Sequence, residues 1–389
     1  MSKQIGNVQL MQKMNRLRVL NYIRRNPGTS RPVISEHTGL SLASITNITA
    51  YLLDIGLVED IGVEAVERVG RKSTLLRFCS EAYGFVIASL SGEVADVYYT
   101  DLEGRVSEHL SSNIASLSSD DVINRVRSMV SSLLKIHGNT QTLAIGINFS
   151  GLVLDGMRFV LSSSMKWQAM DIKKIFENDT GLPVFVENIS RLRAVGYCSA
   201  SGGESCGNLL FVDLDNGIGA VQLVGGSVST NVLGEIGHTT VDKDGAKCFC
   251  GNRGCLEAMC SSQRLLSLCS HRRGVETSSV SELMSLYNSG DEAAVFAVRE
   301  CGSCLGIGLA NLVSLFHPSV IAINKGQFAH CLPVIDEAVS HMKKRAYMEL
   351  WQDVDIRCID ISFNQTIQGA AFEMCNRIFD ISFVHSPVQ

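Results

Sequence analysis

Proline is scarce in this chain, 6 in 389 residues, and charged residues make up only 19% against 46% hydrophobic. That balance excludes a disordered or collagenous chain. No stretch reaches the roughly 18 consecutive apolar residues of a membrane span, and Met1 to Asn15 lacks the apolar core of a secretory signal. The expectation is a soluble, cytoplasmic protein with no membrane partner. The 13 cysteines are an odd number scattered through a long chain. This argues against a disulfide-stapled scaffold and for reduced thiols, some of them on a metal. The length suggests two or three domains, because single cores stop growing at about 250–300 residues.

Charge is unevenly placed. Residues 1–80 hold 11 Lys and Arg against 6 Asp and Glu, a net +5, so the remainder carries −10. A basic module on an acidic body suits a phosphate-backbone partner such as double-stranded DNA. Within it Met14, Leu17, Leu20 and Ile23 recur every three residues, predicting a helix from Asn15 to Asn26. Thr29 or Ser30 can cap a second helix through Thr38, and Ser41 a third, with Ile45, Ile48 and Leu52 as its apolar stripe. Two short helices joined by a tight glycine turn form a helix-turn-helix. Leu57–Ile61 and Thr74–Phe78 then read as paired strands of a wing, with Arg68, Gly70, Arg71 and Lys72 near its tip. Arg31 and, on the third helix, Leu42, Ala43, Ser44, Thr46 and Asn47 are the candidate DNA contacts, Asn47 being suited to adenine. Arg68, Arg71 and Lys72 would meet the minor groove. The alternative is a small protein-interaction module.

Beyond Ser80, short apolar strands form an expected meander over Phe85–Leu90, Val94–Thr100 and Arg105–Leu110. Alternating helices and strands follow, including Leu143–Phe149, Val184–Glu187, Leu209–Leu214, Ile218–Leu223, Val320–Ile323 and Ile356–Ile361, the pattern of an α/β body. Helices are expected at Asp120–His137, from Ile189, and at Leu309–Leu315, Val334–Met348 and Ile367–Ile378.

The most specific local signal is His238, Cys248, Cys250 and Cys255. Three thiolates and an imidazole fill the four tetrahedral positions of one structural Zn2+, and Gly251 and Gly254 let the loop turn tightly. The Cys-x-Cys spacing is tighter than in ordinary zinc fingers, so unligated thiols and an interior histidine remain the alternative. The other ten cysteines read as buried small hydrophobes.

The run Gly234-Glu235-Ile236-Gly237-His238, followed by Cys248-Phe249-Cys250-Gly251-Asn252-Arg253-Gly254-Cys255-Leu256-Glu257, resembles the signature of the ROK family of repressors and sugar kinases. The N-terminal module, ending in Gly70-Arg71-Lys72-Ser73-Thr74-Leu75-Leu76-Arg77-Phe78, is similar to that of its repressor branch. The resemblance implies a winged helix-turn-helix over residues 1–80 and a two-lobed actin-like (ribonuclease H-like) body, with lobes at 81–190 and 191–389. It implies a homodimer or tetramer that binds a palindromic operator and answers to a sugar or sugar phosphate.

The same resemblance argues against phosphoryl transfer. The family's first phosphate loop falls on Ser89-Leu90-Ser91-Gly92-Glu93, without its Asp and Thr, and the second survives partly as Asp215-Asn216-Gly217-Ile218-Gly219-Ala220. The catalytic Asp position is Ile189, which accepts no proton. Asn324-Lys325-Gly326 departs from the usual glycine pair. Sugar-contacting positions correspond to Ser164, Asn188, Glu235, His238 and Glu257, Ser164 replacing an Asn. The expectation is a non-enzymatic, sugar-sensing repressor of carbohydrate-utilisation genes. The alternatives are a sugar kinase with an appended DNA-binding domain and a DNA binder with no ligand response.

Overall fold

The structure is a computed structural model describing residues 2–63, 73–138, 141–154, 159–162, 167–201, 207–229, 234–380, 382 and 387–388. In the N-terminal module, α1 (Ser2–Arg25), α2 (Arg31–Thr38) and α3 (Leu42–Asp54) precede β2 (Val58–Val63) and β3 (Thr74–Phe78). The antiparallel β2–β3 pair is the wing, extended by a two-residue β1 (Thr29–Ser30) on the other side of β3. Helix α1 begins far earlier than expected. Val8, Leu10, Met11 and Met14 along its first turns are exposed, so of the periodic residues Leu17, Leu20 and Ile23 are buried and Met14 is not. Ser41 caps α3 as expected, accepting from the Ser44 amide at 3.2 Å, whereas Ser30 heads α2 without a side-chain cap.

The first lobe is a five-stranded sheet in the order β11-β7-β4-β5-β6. Strands β4 (Gly84–Ser91), β5 (Val94–Asp101) and β6 (Val106–Asn113) are the expected meander, and β7 (Thr142–Phe149) and β11 (Val184–Asn188) add in parallel. One face packs on α4 (Ser119–His137) and α5 (Ile172–Thr180). The other packs on α6 (Ile189–Ala200) and the C-terminal α12 (Phe363–Ile378). A small three-stranded sheet, β8 (Leu152–Leu154), β9 (Phe159–Ser162) and β10 (Trp167–Asp171), lies between β7 and α5 in the chain.

The second lobe repeats the plan. Its sheet runs β14-β13-β12-β15-β16, with β12 (Asn208–Asp213), β13 (Gly219–Val224) and β14 (Ser227–Val228) antiparallel, and β15 (Val320–Asn324) and β16 (Asp355–Ile359) parallel. Helices α7 (Leu256–Met259), α8 (Ser262–Arg273), α9 (Val280–Asn288), α10 (Glu292–Phe316) and α11 (Leu332–Arg345) lie in this lobe. Helix α10 is apolar and long, and 67% of its most hydrophobic window is buried.

One hydrophobic core runs from Leu17, Ile45 and Phe78 of the DNA-binding module through Phe85 and Ile87 of β4 to Ile367, Met374 and Phe379. Arg24 fastens the joint: its guanidinium lies 5.8 Å from the Phe78 ring and 5.5 Å from the Phe379 ring, and donates to Asn376 Oδ1 at 3.2 Å. The cores therefore group these elements differently from a simple division in chain order. The cysteine expectation needs correction at three positions. Cys358 is exposed and Cys79 half-buried, and Cys198 takes part in a disulfide, so not every thiol is reduced.

Candidate sugar cleft, metal cluster and DNA surface

The strands of each lobe end at a cleft of about 190 Å³, lined by Asn188 and Ile189 from one side and by Gly217, Glu235, His238, Phe249 and Glu257 from the other. Sites for drug-sized ligands hold roughly 300–1,000 Å³, so this one is scaled to a smaller molecule. Four of the five expected sugar-contacting residues converge here. Ser164, like Arg68, Arg71 and Lys72, lies outside the described residues.

Asn188 has work of its own. As the N-cap of α6, its Oδ1 accepts from the Ser190 and Arg191 amides at 2.8 and 3.2 Å, and its Nδ2 donates to the Gly151 carbonyl at 2.7 Å. One N–H is left for a ligand. Glu257 is aimed by the Ile218 amide, which donates to Oε2 at 2.9 Å. Gly217 leaves room for it, since a Cβ would stand 2.6 Å from that oxygen and the carboxylate would have to shift. The Glu235 carboxyl is pushed above the usual range by burial, an effect His238 opposes and Glu257 reinforces.

The ligand atoms of His238, Cys248, Cys250 and Cys255 all lie within 4.8 Å of one another. Cys248 Sγ is 3.7 Å from His238 Nδ1, and Cys250 Sγ is 3.6 Å from Cys255 Sγ. Bonds of about 2.3 Å from a tetrahedral zinc would set sulfurs about 3.8 Å apart, so the four residues fit such an ion. Burial, then the hydrogen bonds its S–H donates to Cys250 and Cys248, push the Cys255 thiol up to about 12; a divalent cation supplies the charge that stabilises its thiolate. Gly254 lets the loop close, because a Cβ would fall 1.4 Å from the Asp242 carbonyl oxygen. With Nδ1 toward the sulfurs, His238 has Nε2 left for the cleft.

Beside these residues lies a network of paired polar and charged groups. Ile189 is only 5% exposed. Buried Asp213 is saturated, taking Ser190 Oγ at 2.6 Å, Arg193 Nη1 at 2.9 Å and Asn324 Nδ2 at 2.8 Å. Arg193 reaches on to Asp215, and Asn216 donates to Ser91 Oγ across the cleft. Burial works against the Arg193 charge, and the two aspartates outweigh it. Sequence reasoning missed this network because its members are far apart in the chain and share no periodicity.

On the DNA-binding module Leu42, Ala43, Thr46 and Asn47 are exposed along α3. Their hydrogen bonds separate them. Thr46 Oγ1 donates back to the Leu42 carbonyl at 2.8 Å, and Ser44 Oγ lies 2.9 Å from Ser41 Oγ. Arg31 is half-buried and donates from Nε to Thr49 Oγ1 at 2.8 Å, so it braces α2 on α3. Asn47 makes no side-chain hydrogen bond to the described residues, leaving its amide for a base edge.

A winged helix-turn-helix joined through a common core to a two-lobed sugar-kinase scaffold defines the class: a DNA-binding transcriptional regulator with a cleft in its body. The ROK family model matches residues 96–374, and a winged helix-turn-helix DNA-binding model matches 15–59. The chain belongs to the ROK family. It is 26% identical over 385 residues to a xylose repressor of Bacillus spizizenii, covering 97% of this chain and 99% of that one. Among solved structures it is similar to a ROK family transcriptional regulator described as a homologue of the E. coli Mlc protein, with TM-score 0.78, 26% identity and coverage of 93% and 96%. The body alone is similar to a ROK hexokinase of Thermus thermophilus, with TM-score 0.61, 25% identity and coverage of 74% and 97%.

Proposed function

We propose that this chain is a cytoplasmic repressor of carbohydrate-utilisation genes that binds a palindromic operator as a homodimer or tetramer and senses a sugar or sugar phosphate in its cleft. The proposal assigns DNA contact to Arg31, Leu42, Ala43, Ser44, Thr46, Asn47, Arg68, Arg71 and Lys72, with Arg31 bracing the reading helix. It assigns sugar recognition to Ser164, Asn188, Glu235, His238 and Glu257. One structural Zn2+ sits on His238, Cys248, Cys250 and Cys255. The body transfers no phosphoryl group.

One observation carries the reading: polar side chains suited to hydroxyls converge on a cleft lined also by the buried Ile189, the residue that the family resemblance puts at the catalytic-base position. Directional donors and acceptors suit a polyol, while isoleucine takes no proton from it. The Arg193–Asp213–Asp215 network supports the same conclusion, since its charges are spent on one another.

Titration calorimetry of the zinc-loaded chain with D-xylose, D-glucose, N-acetylglucosamine and their phosphates tests this. Binding of one compound, lost in Glu257→Gln, is the expected result. Heat that is the same in wild type and Glu257→Gln would contradict the assignment of the cleft.

A further inference from the structure

Phe249 is 55% exposed although it lies between two cysteines of the metal cluster, and Cys248 beside it is 2% exposed. The backbone leaves it little choice. Cys248 donates its amide to Asn252 at 2.8 Å and Gly251 donates to Cys248 at 3.1 Å, so the hairpin is closed on both sides of the ring. Among the described residues, Phe249 is the one large exposed apolar side chain that also lines the cleft. Its ring meets the His238 imidazole edge-on, with centroids 5.5 Å apart and planes at 89°.

The setting is specific. Among the polar residues that also line the cleft, Glu235, Glu257, Asn188 and His238 are suited to hydroxyl groups. An aromatic face carries negative quadrupolar charge and attracts the slightly positive hydrogens of C–H bonds. A pyranose has both features: hydroxyls round its edge and C–H bonds on a face. A linear polyol has the hydroxyls without a persistent apolar face.

We propose that Phe249 is the stacking platform of the cleft and selects a monosaccharide in its ring form. This rests on the cleft being a sugar site. The ring is held in place by its own hairpin, so the metal loop fixes the platform's position as well as that of His238. Phe249 touches ligand without touching DNA or metal, which separates its effects from those of the cluster.

The test uses the full zinc-loaded chain with D-glucose, D-xylose and N-acetylglucosamine as probes, and the corresponding alditols as controls. Phe249→Ala is expected to weaken the sugar that wild type binds by about tenfold at unchanged zinc content. Phe249→Trp is expected to keep the affinity and to change its tryptophan emission when sugar is added. Wild type should prefer the ring sugar to its alditol. Sugar binding that Phe249→Ala leaves unchanged, or an emission in Phe249→Trp that saturating sugar does not move, would overturn the platform alone. If wild type binds none of the probes while holding its zinc, the cleft assignment falls and takes this inference with it.

Discussion

Gly196 of α6 and Gly369 of α12 meet at backbone contact: a Cβ on Gly369 would lie 2.7 Å from the Gly196 nitrogen and 2.1 Å from the Leu192 carbonyl oxygen. Helix α6 starts at the cleft with its Asn188 cap, and α12 is followed directly by Phe379, against Arg24 of α1. The two glycines thus allow the helix that begins at the cleft to pack directly on the one that meets the DNA-binding module.

Filling that contact should be costly. In Gly196→Ala the new methyl would stand 2.0 Å from the Gln365 carbonyl oxygen, and overpacking of this kind costs about 1–3 kcal/mol. Gly207 has no atom within 4 Å of a built Cβ, so Gly207→Ala should stay within about 0.5 kcal/mol of wild type. Urea midpoints for the two variants check the contrast.

Metal stoichiometry follows from the cluster's geometry. Wild type should hold one zinc per chain by atomic emission. Cys250→Ser, which removes the exposed ligand and leaves the buried Cys248 and Cys255 in place, should hold much less after dialysis. Full zinc in that variant would remove Cys250 from the ligand set.

On the DNA, base reading and phosphate contact should separate. Asn47→Ala is expected to cost about 1–3 kcal/mol on the preferred sequence and to relax base preference. Arg71→Ala should weaken all sequences alike and lower the salt slope by about 1. Anisotropy titrations at several salt concentrations distinguish the two.

With ATP and the sugar panel, ADP release should not exceed background. Sugar-dependent ADP release by zinc-loaded protein would show that a group other than Ile189 serves as base.

Local chemistry was legible in the sequence, and long-range chemistry was not. Ser41 announces α3, and the metal run lies within a few turns of chain, because both depend on neighbours in sequence. Helix α10 was legible only at Leu309–Leu315. Its Gly302 and Gly306 admit α11: built Cβ atoms there would sit 2.6 Å from Glu337 Cβ and 2.5 Å from His341 Cβ. Helix α8 has no clear apolar stripe, whereas α5 and α9 were not read although Ile172, Ile175 and Phe176, and Val280, Leu283 and Met284, recur at helical spacing. The saturation of Asp213 by Ser190, Arg193 and Asn324, and the return of α12 to the first lobe, depend on contacts that no local spacing encodes. Of the candidate sugar residues, Asn188 lines the cleft, and its duty as a helix cap emerged only with the backbone.

The central claim is that a sugar in the cleft changes the affinity of the winged helix for DNA, a differential binding energy between two arrangements of one protein. Fluorescence anisotropy on DNA tiled from the gene's own upstream region, at fixed salt, with and without each sugar, measures it directly. The account predicts one specific fragment whose affinity a single sugar or sugar phosphate shifts, and no such shift in Glu257→Gln. Specific binding that no compound moves would contradict the account.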